Sequence, residues 1–292
     1  MNRRRFLLIT AAAATFSSSA RAGITRWQAD MLGGTVRVDL RGPRDLAQDV
    51  ARQIGIAIAE VEAAASLFRP DSALSRLNAT GQLNDPPPAL LDLLRLAGEM
   101  HAMTDGLFDP TVQPLWRALA EGRDPVQARA AIGWARVQPG RPVRLDKGQM
   151  LTFNGIAQGY AADRVRELLR DAGYDEALVD MGEFAALGGP FRVSIEDPIL
   201  GEIAIRRLSG NAVATSSPSA MRIGAGFHIL NPYGEMPYWS TISVEAESAA
   251  LADGLSTAFC LMPAERIRAT LRQTRAVTRV TAVDIAGDVS TF

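Results

Sequence analysis

Apolar positions recur along this chain with two periods, and the periods mark out its elements. Thr35 to Leu40 alternates with period two, as a half-buried strand does. A helical period follows from about Arg44 to Phe68, where Leu46, Val50, Ile54, Ile58, Val61, Ala65 and Phe68 share one face. Pro70 and Asp71 break it, so Arg69 to Leu77 reads as a turn out of the helix. Asn84 to Pro88 is a loop and helix start, Ala89 to Met103 a second helix, and Thr104-Asp105-Gly106 a turn. Arg117 to Trp134 reads as short helical pieces, and Val143 to Asn154 as a hairpin around Asp146 to Gly148. A further amphipathic helix runs from about Gly159 to Asp171, with Val165, Leu168, Leu169 and Ala172 on its apolar side and Gly173 as its stop. Strand-like runs follow at Glu176–Met181, Phe191–Ile195, Glu202–Arg206, Ala212–Thr215, Gly226–Leu230 and Ser240–Glu245. Two helices, Ala249–Leu261 and Pro263–Arg272, precede a last strand at Ala276–Ile285. Strands and helices are mixed without strict alternation, which predicts an α+β fold rather than a doubly wound sheet. No fixed-period repeat and no linker divides the chain.

The first residues read as an address. Asn2-Arg3-Arg4-Arg5-Phe6-Leu7 has the form of a twin-arginine export signal. The apolar run Leu7 to Phe16 is too short to span a bilayer, and Ala20-Arg21-Ala22 is a small-x-small cleavage site. A signal peptide at 1–22 and a mature domain at 23–292 are expected, with the periplasm as destination. An uncleaved segment would instead tether the protein to the membrane. No later stretch is long and apolar enough to cross one.

Charge and cysteine usage narrow the classes further. Formal net charge is −1, and without Arg3, Arg4, Arg5 and Arg21 there remain 27 basic against 32 acidic residues. A nucleic-acid partner needs a basic footprint that this balance does not supply. Cys260 is the only cysteine and lies in the apolar run Phe259-Cys260-Leu261-Met262. It reads as core rather than nucleophile. One cysteine and two distant histidines fit no zinc spacing.

Three places offer chemistry. The stretch Asn154-Gly155-Ile156-Ala157-Gln158-Gly159-Tyr160-Ala161-Ala162-Asp163 puts a Gly-rich turn before a helix. Backbone N–H groups at such a start attract phosphate, although many such turns serve only tight packing. Asp253 and Thr257 stand four apart and share one face of a helix. A carboxylate, a hydroxyl, a carbonyl and phosphate oxygens suit Mg²⁺; a solvated or capping acid is the other reading of Asp253. His228 ends a strand near turn residues, with Thr215-Ser216-Ser217 as its candidate neighbours, and is a candidate base or phosphate-facing donor. His101 reads as a partly buried helix residue beside Met100 and Met103. A serine hydrolase using Ser216 or Ser217 would lack the Gly-x-Ser-x-Gly elbow.

Taken in order, these motifs resemble the ApbE family of FAD:protein FMN transferases. The resemblance spans nearly the whole mature chain. It is carried by Gly34-Thr35, Ser66 to Asn78, Thr104-Asp105-Gly106-Leu107-Phe108-Asp109-Pro110-Thr111-Val112, Asn154 to Asp163, Val213-Ala214-Thr215-Ser216, His228-Ile229-Leu230-Asn231-Pro232 and Ala252-Asp253-Gly254-Leu255-Ser256-Thr257. It implies an ApbE-like fold and Mg²⁺-dependent transfer of FMN from FAD to a threonine hydroxyl of an acceptor flavoprotein, with release of AMP. It implies metal ligands at the Ala157 carbonyl, Asp253 and Thr257, and a base at His228. It places Phe68, Asp109, Gly155, Gln158, Asp163, Glu183 and Thr215 at the flavin nucleotide, with Phe68 where the family commonly has a tyrosine.

The chain also departs from the family pattern. Gln158 stands where many members have lysine, and Met181-Gly182-Glu183 replaces Gly-Gly-Glu. Ser217-Pro218 replaces a glycine and an aromatic, and Asn231 replaces the usual aspartate after the histidine motif, whose loss would weaken the base if that aspartate orients His228. These departures motivate a second reading, a flavin-binding assembly factor impaired in transfer. The Met-Gly-Glu form is similar to the NosX-like subset, which implies a NosR-like respiratory acceptor.

Overall fold

Residues 15–19, 24–41 and 46–292 are described by the computed structural model of this protein. Strands β1 (Thr15–Ser19), β2 (Ile24–Met31) and β3 (Gly34–Arg41) form an antiparallel run. Leu32 and Gly33, both at positive φ, turn β2 into β3 (54° and 78°), as a two-residue hairpin requires. Helix α1 (Gln48–Ala65) follows, then α2 (Ala73–Thr80), β4 (Gln82–Leu83), α3 (Pro88–Met103), α4 (Gln113–Ala120), α5 (Val126–Ala130) and β5 (Val143–Arg144). Next come α6 (Ala157–Asp171), β6 (Ala177–Asp180), β7 (Phe184–Leu187), β8 (Phe191–Asp197), β9 (Gly201–Leu208) and β10 (Ala212–Ser216). The chain closes with β11 (Arg222–Ile223), β12 (Gly226–Phe227), β13 (Trp239–Ala246), α7 (Ala249–Phe259), α8 (Ala264–Leu271), β14 (Val277–Asp284) and β15 (Val289–Thr291).

Nine of these strands form one sheet in the order β1-β2-β3-β6-β7-β10-β13-β14-β15. Every neighbouring pair in it is antiparallel, which is the α+β arrangement expected. One face is covered by helices. The apolar stripe of α1, with Val50, Ile54, Ile58 and Val61 buried, packs on α6 and α3. Helix α7 lies on β10 and β13 and against α6. Its closest approach to α6 is at Gly159, where an added Cβ would collide with the Ala249 carbonyl oxygen. Glycine is required there by sterics, since no larger side chain leaves room for that contact. Strands β8 and β9 stand apart as a hairpin with a small core of Phe191, Val193, Ile195 and Leu208 against Ala186 and Val213.

Several expectations change here. The segment read as a turn at Arg69 to Leu77 contains α2, started by Ser72, whose side chain accepts from the Ser75 N–H. Helix α1 ends at Ala65, so Phe68 lies beyond it and is 53% exposed. The expected hairpin at Val143 to Asn154 does not form: β5 pairs with β4, and the Asp146–Gly148 turn leads to irregular chain. The run at Gly226–Leu230 shortens to a two-residue strand. Strands β2 and β7 were not expected, although Trp27, Ala29 and Met31 alternate with Arg26, Gln28 and Asp30 along β2. The expected signal peptide lies mostly outside the described residues; Thr15–Ser19, within it, forms the edge strand β1.

Candidate functional site

A cleft of about 2890 Å³ is lined by residues from the β2–β3 hairpin through α1 to the start of α6 and the Asp253–Thr257 turn of α7. Ordinary ligand pockets hold roughly 300–1,000 Å³, so this one suits a large, extended ligand. Phe68, Asp109, Gly155, Ala157, Gln158, Glu183, Thr215, His228, Asp253 and Thr257 all line it. These residues come from widely separated parts of the sequence. Their convergence follows from the packing of α6 on α7 and of both on the sheet.

The end of the cleft at α6 is built from oxygen atoms. Ser248 caps α7, accepting from the Leu251 N–H at 3.1 Å, and this places Asp253 and Thr257 one turn apart on the cleft side. The Asp253 carboxylate accepts from the Gly159 N–H at 3.0 Å. It thereby occupies one of the free N–H groups at the α6 N-terminus, where negative charge is favoured. Gly155 packs on Thr257; an added Cβ would lie 2.9 Å from its Oγ1. Ser216 Oγ sits 3.3 Å from Thr257 Oγ1 and 2.8 Å from Ser256 Oγ, and Ser256 donates to the Asp253 carbonyl. Ser216 and Ser256 lie within the motifs but have no expected role at this end.

Two buried acids meet at this end. Burial pushes the Asp253 carboxyl up to about 7, against the Gly159 N–H that holds it down. Glu183 is raised well above the usual carboxylate range, first by burial and then by the Asp253 charge, although it accepts from the Thr215 N–H at 3.1 Å. Among the described residues no Lys or Arg forms an ion pair with either acid. A pair of buried like charges without a counterion is relieved by a bound cation. Clusters of three or more His, Cys, Asp and Glu side chains are absent among the described residues. The donor set here is instead carboxylate, hydroxyl and backbone oxygen, which fits a hard divalent ion.

His228 stands on another wall of the cleft. Its Nδ1 lies 3.3 Å from the Pro218 carbonyl and 3.2 Å from the Met221 carbonyl. Two acceptors at one ring nitrogen require that nitrogen to carry the proton, which leaves Nε2 as the basic atom. Burial holds the ring below its ordinary value of 6.5, while the two carbonyls oppose this. Asn231 does not hold the ring: its Oδ1 accepts from the Tyr233 N–H at 2.8 Å. In this chain two backbone carbonyls hold the ring instead.

The other expected residues divide. Asp109 lines the cleft and starts a short turn, accepting from the Thr111 N–H at 2.8 Å and hydroxyl at 2.5 Å. His101 Nε2 lies 3.8 Å from its other oxygen. Asp163 does not line the cleft. Its two oxygens accept from the Ala249 and Ala250 N–H groups at 2.9 Å each and it pairs with Arg166 at 2.9 Å. With these contacts it caps the start of α7. Cys260 is buried and its thiol is raised by that burial, as for a core residue. The far part of the cleft, lined by Trp27, Asp30, Arg52 and Gly55, had no signature in the sequence.

Fold and cleft define the class: an α+β protein with one elongated cleft that ends on buried oxygen ligands. The chain belongs to the ApbE family, whose model matches residues 32–281. The FAD:protein FMN transferase of Haemophilus influenzae is 28% identical over 245 residues, 70% of this chain and 70% of its own length. The FAD:protein FMN transferase of Salmonella typhimurium is 26% identical over 246 residues, 71% of this chain and 69% of its own. The apo crystal structure of the Pseudomonas stutzeri flavinyl transferase ApbE superposes with a TM-score of 0.79 at 24% identity, covering 94% of this chain and 97% of that one.

Proposed function

We propose that this protein transfers FMN from FAD to a threonine hydroxyl of an acceptor flavoprotein and releases AMP. The observation that carries this reading is the convergence of Asp253, Thr257, Glu183 and the Gly155–Gln158 turn at one end of a cleft long enough for a dinucleotide. Family membership and the names of the relatives support it.

Asp253, Thr257 and the Ala157 carbonyl would hold Mg²⁺. When bound, that ion supplies positive charge against the diphosphate and the departing phosphate. The chain's own groups do the rest. Phe68 offers a ring face to the flavin. Gln158 donates a hydrogen bond where many members place a charge. His228 Nε2 takes the proton from the acceptor threonine as its Oγ attacks the FMN phosphorus. One P–O bond forms to threonine, and the bridging P–O bond to AMP breaks. Threonine is a poor nucleophile at neutral pH, which is why a neutral, buried imidazole helps. Because His228 is held by carbonyls rather than by residue 231, Asn231 does not by itself argue for a transfer-impaired protein.

The Met181-Gly182-Glu183 form supports a respiratory acceptor of the NosR kind, and the first residues support twin-arginine export to the periplasm. The deciding experiment mixes protein, FAD, Mg²⁺ and an acceptor fragment bearing the target threonine. Mass spectrometry should find the acceptor heavier by one FMN moiety. Bound FAD with an unchanged acceptor mass would sink the proposal. For the export claim, Arg3 and Arg4 replaced together by Lys should leave unprocessed protein in the cytoplasm.

A further inference from the structure

Asp197 lies at the end of β8, on the hairpin that stands apart from the main sheet. It is 3% exposed. One of its oxygens accepts from the Ile199 and Leu200 N–H groups at 2.8 and 2.9 Å. The other accepts from Ser240 Oγ at 2.8 Å and Thr241 Oγ1 at 2.7 Å. Successive residues of a strand normally face opposite ways, so two adjacent hydroxyls on one carboxylate oxygen need an irregular strand. The β13–β14 register slips between Trp239 and Thr241, and this bulge brings Ser240 and Thr241 to the same acid.

Thr241 Oγ1 also lies 2.7 Å from Ser217 Oγ. A hydroxyl has one hydrogen. Asp197 is ionised, since the hydrogen bonds from Thr241, Leu200, Ile199 and Ser240 together outweigh the upward push of burial. A carboxylate only accepts, so Thr241 gives its hydrogen to Asp197, and Ser217 must give its own to Thr241. The chain of hydrogen bonds therefore has a fixed direction and ends on a buried charge. Ser217 begins the short turn Pro218–Ala220, and the carbonyls of Pro218 and Met221 hold His228 Nδ1. Burial and these two carbonyls are the influences on the ring, with no ionised side chain among them.

We propose that Asp197, Thr241 and Ser217 are positioning residues that fix the 217–221 turn, and through its carbonyls lock His228 as the Nδ1–H tautomer with Nε2 facing the cleft. The assignment rests on the reading of His228 as the base. It gives a purpose to both Ser217 and Pro218. Proline fixes φ of the residue whose carbonyl faces the ring, and serine ties that residue's neighbour to the sheet.

The test uses Thr241→Val, which keeps the shape and removes the central hydroxyl, with Thr241→Ser as the conservative rescue. His228 is one of two histidines, so long-range ¹⁵N–¹H spectra report its tautomer directly, with His228→Ala as the assignment control. Thr241→Val should mix the two tautomers and lower kcat about tenfold with the KM for FAD within twofold; Thr241→Ser should restore both. Should Thr241→Val fail to fold, Ser217→Ala cuts the chain one link nearer the turn and is read in the same way. Parent-like tautomer and kcat in the folded variant, or a loss that Thr241→Ser does not rescue, overturn the proposal. If His228→Ala transfers at the parent rate, the base reading falls, and the tautomer spectrum still decides the positioning chain by itself.

Discussion

Asp253 carries more of the site than any other side chain, because one carboxylate faces both a helix N-terminus and a second buried acid. Its replacement by Ala should lower the transfer rate by at least about a hundredfold, measured as FMN incorporated into the acceptor. The same variant should lose the rise in melting temperature that Mg²⁺ gives the parent protein. A parent-like thermal shift with Mg²⁺ would remove Asp253 from the metal site. At His228 the sign of the pH effect follows from burial, which disfavours the charged ring. The neutral base is the working form, so activity is present above the folded-state pKa and is lost as pH falls through it. The acid limb of the kcat profile should therefore lie below the ordinary 6.5 for histidine. Stability runs the same way: the unfolded chain binds the proton more readily, so the ring's contribution declines as pH falls below that value. A limb above 6.5 would mean that another group controls the rate. Asp253 was legible as a candidate because its spacing from Thr257 sets both on one helical face. Its partner at Gly159, 94 positions away in the chain, was not.

Among elements, α6 and α7 decide the site, and their contact sets the roles of Gly159 and Asp163. Gly159 belonged to a motif that read equally as phosphate turn and as close packing. Its role here is close packing against Ala249, while its N–H serves the acid. Asp163, in the same motif, turns its carboxylate to the first N–H groups of α7. Asp163→Ala leaves two helix-terminal donors and Arg166 without that partner. It should cost about 1–3 kcal/mol, visible as a lower melting temperature, with the KM for FAD little changed at a temperature where the variant is folded. A large rise in KM with parent stability would instead place Asp163 at the nucleotide. Helix α2 was missed because Pro70 and Asp71 are strong breakers, and the capping Ser72 that restarts the helix looks like one more turn residue. The long helices were legible because each keeps a continuous apolar stripe. Strand β7 is a four-residue apolar run without alternation, whereas β2 does alternate, with Trp27 and Ala29 buried between polar residues.

For the whole molecule, the sheet runs without a break from the N-terminal strands to β15, and the cleft draws on both halves of the sequence. No helix among the described residues is long and apolar enough to cross a membrane. Cleavage after Ala22 would remove β1 and leave β2 as the sheet edge. A chain starting at Gly23 should therefore fold with nearly the parent melting temperature and transfer FMN at the parent rate, since β2 keeps its full pairing with β3. A collapse in stability on truncation would show that β1 belongs to the mature fold.

The amino-acid pattern alone determined the α+β class, the long helices, most strands, the family and the residues gathered around Asp253 and Thr257 in the cleft. These are local properties: a period, a cap, or a motif in order. The tertiary structure alone decided that Asp163 caps a helix, that Glu183 and Asp253 share one buried environment, and that carbonyls of a neighbouring turn hold His228. Each depends on which distant groups are brought together and on how much water is excluded around them. A linear pattern records neither, because charge repulsion and desolvation act through space rather than along the chain.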